Sequence, residues 1–214
     1  CEPIQGESGV RPLSQEYLQG IRALCDRHGL LLIFDEVQTG LGRTGTLFAH
    51  EQLGVTPDIM TLAKALGSGL PLSAMLTTEK IAAAFTPGTH AATFGGNPVS
   101  CAAGVVVLRQ LLAPGFLEAV RDTGAYFMAE LQGLAGKFPQ FASGARGRGL
   151  LLGLTLTEKG IAHGAEIVNR MFERGLIINF TGNQVLRFVP PLIVTRNDID
   201  TLIRELEAVF AELA

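Results

Sequence analysis

The chain has 214 residues, 47% of them hydrophobic, with 17 basic against 20 acidic side chains and a formal net charge of −3. That length suits one large domain or two small ones, and the charge balance leaves no basic footprint for nucleic acid or an anionic membrane surface. No apolar run approaches the roughly 18 residues of a membrane span and no secretory leader opens the sequence, so no membrane association and a cytoplasmic location are expected. Three widely spaced cysteines, Cys1, Cys25 and Cys101, include no C-x-x-C pair. They read as free thiols in a reducing compartment rather than a disulfide frame or a zinc site, and no metal is expected.

The sequence starts abruptly at Cys1-Glu2-Pro3-Ile4, as if within a longer chain, and runs through a polar, glycine-punctuated loop to Gly9. Glu7 in that loop is either a solvated acid or the partner of a buried cation. Ser14 has the character of an N-cap, and Tyr17, Leu18, Ile21, Leu24 and Cys25 recur at helical spacing until Gly29 supplies a stop. The apolar run 30–34 then ends at Asp35-Glu36 and predicts a buried strand of a parallel sheet. A loop with three glycines, Thr39 to Gly45, follows. It could cradle a phosphate or serve only the backbone's conformation.

A second short run, 59–62, ends just before Lys64 and the turn Gly67–Pro71. Residues 73–77 predict another strand and 79–85 a short helix. Thr89 to Pro98 form a loop in which Thr93 could offer a hydroxyl and an N–H to a phosphate, while His90 reads as an ordinary loop histidine. Asn97-Pro98 marks the start of an apolar helix running to about Ala113, with proline at its first position. Beyond Gly115 the pattern predicts a helix over 116–134, the stretch Gly144 to Gly149, and a strand over 150–156. A helix over 162–174 and two short strands, 176–180 and 185–189, come next. Thr195 and Asp198 then open an amphipathic helix in the manner of a capping box. The two characters divide the chain into 1–115, part of a large α/β domain, and 116–214, a smaller α+β domain.

Asp35 and Lys64, each at the end of a buried run, are the chemical centre of the sequence. In parallel sheets ligands gather beyond the carboxyl ends of strands. A structural Asp with a surface Lys would explain the pair blandly. A nucleotide-hydrolysing site would need a G-x-x-x-x-G-K-[ST] loop, and none occurs. A pyridoxal phosphate (PLP) site explains both residues at once, with a Lys carrying the cofactor aldehyde and an Asp keeping the pyridine nitrogen protonated. Arg187, set in an apolar strand, is either solvent-facing or a clamp for a carboxylate, which a planar guanidinium suits.

The segments EPIQGESGV at 2–10, FDEVQTGLGRTG at 34–45, TLAKALGSGLP at 61–71, GTHAATFGGNP at 88–98 and LRFVPPL at 186–192 together resemble the class III (ω-type) PLP-dependent aminotransferases. The resemblance spans nearly the whole chain. It implies a PLP-dependent transferase of fold type I, α/β in class. The chain would then hold part of the large mixed or parallel-sheet domain and a C-terminal α+β small domain.

By position, the resemblance makes Lys64 and Asp35 the catalytic pair. It makes Asp35, Glu36, Val37, Gln38, Lys64 and Thr93 the cofactor contacts, with Val37 against the ring, Gln38 at the ring hydroxyl, and Thr93 reaching the neighbouring subunit's phosphate in a homodimer. Arg187 corresponds to the substrate α-carboxylate clamp, Glu7 to the acid that pairs with it, and Ala92 to a substrate contact. Ala91-Ala92 stand where the family usually has Gly-Ser, which removes a polar group from position 92. The family also implies an N-terminal half with a further phosphate-binding turn, a ring-stacking aromatic and a substrate Arg.

The implied reaction is transamination of the δ-amine of N-acetylornithine with 2-oxoglutarate, giving N-acetylglutamate 5-semialdehyde and glutamate in arginine biosynthesis. Ornithine, succinylornithine and 4-aminobutyrate are the alternative donors. A non-catalytic fragment or dimer partner is the alternative from another class.

Overall fold

The computed structural model describes residues 1–214. In chain order its strands are β1 (Ile4–Gln5), β2 (Arg11–Pro12), β3 (Ile33–Asp35), β4 (Ile59–Leu62), β5 (Ala74–Thr77), β6 (Ala142–Arg148), β7 (Leu151–Leu156), β8 (Asn179–Thr181) and β9 (Val185–Phe188). Its α-helices are α1 (Gln15–His28), α2 (His50–Leu53), α3 (Glu79–Ala82), α4 (Pro98–Leu111), α5 (Phe116–Lys137), α6 (Glu158–Ala162), α7 (Gly164–Glu173) and α8 (Arg196–Leu213), and a 3-10 turn covers Lys64–Gly67. No single helix is long and apolar enough to cross a membrane. Two compact units divide the chain: Cys1–Pro3, Leu13–Gly42 and Thr46–Leu117 form the first, and Ile4–Pro12, Arg43–Gly45 and Glu118–Ala214 the second.

The first unit is built on a three-stranded sheet in the order β3-β4-β5, with β3 and β4 parallel and β5 antiparallel to β4. α1 begins where the Ser14 side chain accepts the Tyr17 N–H and ends where Gly29 turns left-handed at φ 64°. Its Leu18 and Cys25 pack with Leu32, Phe34, Leu53 and Val55 into one apolar cluster.

The strand after α1 departs from the expected fully buried run. Leu32 and Phe34 are buried, whereas Leu30, Leu31 and Ile33 are exposed. Side chains alternate between the faces of a strand, and the α1 cluster takes only one of those faces. Asp58 pins the entrance of the pair, its Oδ2 accepting from the Leu32 N–H at 2.7 Å and from Arg22 Nη1 at 2.8 Å. These two bonds, the Leu32 one first, hold the Asp58 carboxyl below the usual carboxylate range. α4 starts as the Asn97-Pro98 pair predicts, with the Asn97 side chain accepting from Val99 N and Ser100 N.

The second unit is a four-stranded antiparallel sheet, β6-β7-β9-β8, with its core built from Phe127, Leu131, Leu151, Leu154, Leu186, Leu206 and Phe210. Phe141 stacks on Phe210 and Phe127 meets Phe188 edge-on, at centroid distances of 5.2 and 5.3 Å. α8 carries the complete capping box of Thr195 and Asp198. Two elements differ from expectation. The polar opening of the chain includes the antiparallel pair β1–β2, held to the sheet where Arg146 Nε and Nη2 both donate to Gly9 O. The glycine-rich stretch 142–148 is a full strand, β6, paired along β7.

Candidate active site

In the first unit, Asp35 closes β3 and pairs in register with Thr61 of β4. Its main chain is fixed on both sides, since the Asp35 N–H donates to Cys1 O at 2.9 Å and the next N–H, of Glu36, to Thr61 O at 3.0 Å. Asp35 Oδ1 accepts the Val37 N–H at 2.9 Å, which orients a carboxylate that is otherwise exposed. β4 runs on through Leu62 to Ala63, and Lys64 opens the 3-10 turn with an exposed side chain. Lys64 has φ +42°, a left-handed conformation that costs a non-glycine residue about 1–3 kcal/mol and concentrates at functional positions. An amine and a carboxylate therefore leave the carboxyl ends of two adjacent parallel strands.

Glu36 corrects the expectation that it faces a cofactor. One residue after Asp35 it points to the other face and is 1% exposed. Its Oε2 accepts from Thr39 Oγ1 at 2.6 Å and from Ala49 N at 2.9 Å, and its Oε1 accepts from His50 N at 2.9 Å, with His50 Nδ1 at 3.2 Å. Burial pushes this carboxyl upward, but the bonds from His50, Thr39 and the two backbone N–H groups outweigh it and hold the acid below its ordinary value. Glu36 thus ties the loop after β3 to the start of α2. Nothing local in the sequence marks His50 as its partner, because the contact spans 14 residues.

Val37 and Gln38 are half-buried in the turn directly after Asp35. Ala92 and Thr93 lie on an exposed loop before α4, where Ala92 O accepts the Gly95 N–H at 3.4 Å and the Ala92 side chain offers only a methyl group.

In the second unit, Arg187 does not simply face solvent. It sits in β9 opposite Gly153 of β7, and its side chain is 12% exposed. Its Nη1 donates to Glu7 Oε1 at 2.8 Å and to Gly6 O at 3.1 Å. Thr181 Oγ1 donates to Glu7 O, so the Glu7 backbone is held while its carboxylate is 69% exposed. Arg187 also contributes to the wall of a cavity of about 420 Å³ with Phe127, Ile178, Asn179, Phe188 and Pro190. That cavity lies wholly on the second unit.

Asp35 and Lys64 thus leave the carboxyl ends of one parallel strand pair in the first unit, and Arg187 is paired with the Glu7 carboxylate in the second. The class-III aminotransferase family matches residues 1–210. The chain is 50% identical over 213 residues to the acetylornithine aminotransferase of Neisseria meningitidis serogroup B, covering 100% of this chain and 53% of that protein. It is 47% identical over 198 residues to the succinylornithine transaminase of Yersinia enterocolitica, covering 92% of this chain and 48% of that one. Among solved structures, the ornithine aminotransferase of Plasmodium yoelii superposes with a TM-score of 0.92 at 32% identity, covering 100% of this chain and 56% of the other.

The chain belongs to the class-III aminotransferases. These are PLP-dependent enzymes of fold type I. The chain spans about half the length of the curated relatives it matches.

Proposed function

We propose that the complete protein transaminates the δ-amine of N-acetylornithine with 2-oxoglutarate, giving N-acetylglutamate 5-semialdehyde and glutamate, with PLP as its cofactor. One observation carries the reading: exposed Asp35 and Lys64 stand at the carboxyl ends of the paired parallel strands β3 and β4, in a chain half identical to acetylornithine aminotransferases.

When bound, PLP supplies an aldehyde for the amine and a pyridinium ring that accepts electrons. Lys64 would hold the cofactor aldehyde at rest. Once displaced by substrate, its Nζ would take the proton from the amine-bearing carbon as a general base. Asp35, oriented by the Val37 N–H, would keep the proton on the pyridine nitrogen. Val37 would pack on the ring, Gln38 reach its hydroxyl, and Thr93 bind the phosphate of the neighbouring subunit in a homodimer. Glu36 would act behind them by fixing the loop that carries Val37 and Gln38.

Arg187 would clamp the substrate carboxylate. With the Glu7 backbone held by Thr181, the Glu7 side chain needs only to swing away for Arg187 to bind the α-carboxylate of 2-oxoglutarate. The ratio of the two half-reaction rates in Glu7→Gln reads this directly; an unchanged ratio removes the gate. N-succinylornithine and ornithine are the nearest alternative donors, because similar proteins carry those names.

Borohydride reduction of the intact protein after adding PLP, followed by peptide mapping, tests the cofactor reading. The label is expected on Lys64 and absent from Lys64→Ala; a label elsewhere, or none, sinks it. Comparison of kcat/KM across N-acetylornithine, N-succinylornithine and ornithine then decides the donor, with N-acetylornithine expected highest.

A further inference from the structure

Arg43, in the glycine-punctuated loop after β3, has no part in the chemistry above. Its Nη1 donates to two main-chain oxygens, Leu150 O at 3.1 Å and Pro190 O at 2.6 Å, and its own carbonyl accepts the Leu150 N–H at 2.9 Å. Its hydrogen-bond partners are carbonyls rather than carboxylates, and desolvation brings its pKa down to about 10. Arg43 therefore stays charged at neutral pH at an energetic cost that a neutral anchor would avoid.

The segment around it is tightly seated. Thr44 is buried, and Arg121 Nη1 donates to Gly45 O at 2.7 Å. Gly149, at φ +52°, lies so close that a Cβ there would fall 2.6 Å from the Thr44 carbonyl carbon.

What Arg43 holds is the end of the strand pair that carries Arg187. The β7–β9 ladder ends at Leu152↔Phe188, one pair beyond Gly153↔Arg187. Val189 comes next and then Pro190, which continues the register opposite Leu150 but has no N–H to extend the ladder, nor has Pro191. The Arg43 guanidinium supplies the donor instead, binding the Leu150 carbonyl just before β7 and the Pro190 carbonyl two residues after β9 at the same time.

The geometry points to Arg43 as a positioning residue for the carboxylate clamp: it closes the open end of the β7–β9 pair and so fixes the direction from which Arg187 meets an anionic substrate. Affinity for carboxylates then depends on Arg43, whereas attachment of PLP to Lys64 does not. The inference rests on Arg187 being the clamp.

The test is calorimetric binding of glutarate, a dicarboxylate that cannot react, to the intact protein and to Arg43→Met, Arg43→Lys, Arg187→Ala and the Arg43→Met/Arg187→Ala double variant. Borohydride labelling of Lys64 is followed in parallel. Arg43→Met is expected to bind glutarate about ten-fold more weakly while keeping the Lys64 label, the size of a misaligned charge-assisted bond. Arg43→Lys is expected in between, since one ammonium can still reach the Pro190 carbonyl. Because the effect acts through Arg187, Arg43→Met should add no further loss in the Arg187→Ala background.

Glutarate affinity within about twofold of wild type in Arg43→Met, or additive losses in the double variant, overturns the inference. Loss of the Lys64 label in both Arg43 variants also overturns it, by showing a general role in folding. A wild-type protein that binds glutarate but takes no label on Lys64 fails the PLP reading alone. One that binds no glutarate fails the clamp and this inference together.

Discussion

Neighbouring residues on a strand face opposite ways, and at the end of β3 this separates two acids into two tasks. Asp35 is exposed at the strand terminus with its backbone clamped, so its charge is available to a ligand. Glu36 is enclosed, and its bonds to Thr39, Ala49 and His50 are made to the ionised form. Its folded pKa lies below that of the unfolded chain, about 4.3. The stabilisation it contributes is therefore fully present above that value and is lost as pH falls through the folded pKa. Glu36→Gln keeps the shape but weakens the charge-assisted bonds, which costs about 1.5–3 kcal/mol at pH 7. Thermal unfolding from pH 3 to 7 should show the variant well below wild type at neutral pH, with the gap closing under acid. A gap independent of pH would mean that the Glu36 charge contributes nothing.

Helices and strands differ in how plainly their sequences announce them. Ser14 with Gly29, Asn97-Pro98, and Thr195 with Asp198 each satisfy backbone groups within a few residues, so those helix ends were legible and stand where expected. The run before Lys64 is likewise a strand as expected, whereas the run before Asp35 gives only the short strand Ile33–Asp35, with one buried face. β6 and the β1–β2 pair were not legible, because the small and charged residues of Ala142–Arg148 and the two-residue lengths of β1 and β2 lack the alternating β-branched and aromatic side chains that mark a strand. The site divides in the same way: the Glu7 partner of Arg187 was foreseen only through family resemblance, and Arg43 and His50 act over separations no local pattern encodes.

Glycines within α5 show packing overruling propensity. In an exposed helix interior, alanine is favoured over glycine by about 1 kcal/mol. At Gly133 a Cβ would meet nothing within 4 Å, so Gly133→Ala should stabilise by about 0.5–1 kcal/mol. At Gly124 the same Cβ would lie 2.5–2.7 Å from the Gly149 backbone, which cannot rotate aside like a side chain. Overpacking of that kind costs about 1–3 kcal/mol and reverses the sign. Urea unfolding of the two variants side by side makes the comparison; a Gly124→Ala protein as stable as Gly133→Ala would mean that α5 and the β6–β7 turn are not packed this closely.

At the scale of the molecule, the first unit keeps several large apolar side chains exposed. Phe94, Val99, Val106 and Leu112 on or next to α4 are 84, 66, 55 and 63% exposed. Large apolar side chains left exposed in this way are what an interface between protein chains covers. Thr93 lies one residue before Phe94, so a partner seated there would bring its own site close to this threonine. The proposed homodimer then makes each active site composite, with Lys64 from one subunit and Thr93 from the other. Removing the Thr93 hydroxyl should weaken PLP binding about ten-fold, the worth of one hydrogen bond to a charged phosphate. Co-expression of Lys64→Ala and Thr93→Val subunits of the intact protein, carrying different tags, separates the two arrangements. If Thr93 acts across the interface, the purified heterodimer contains one site with both wild-type residues and one with neither. It should then bind PLP at one site per dimer with wild-type affinity, and turn over at about half the wild-type rate per dimer. If Thr93 serves its own subunit's site, every site in the heterodimer is defective, and its remaining PLP site shows the affinity of Thr93→Val. That outcome would require the apolar face beside Thr93 to be covered by something other than a second active subunit.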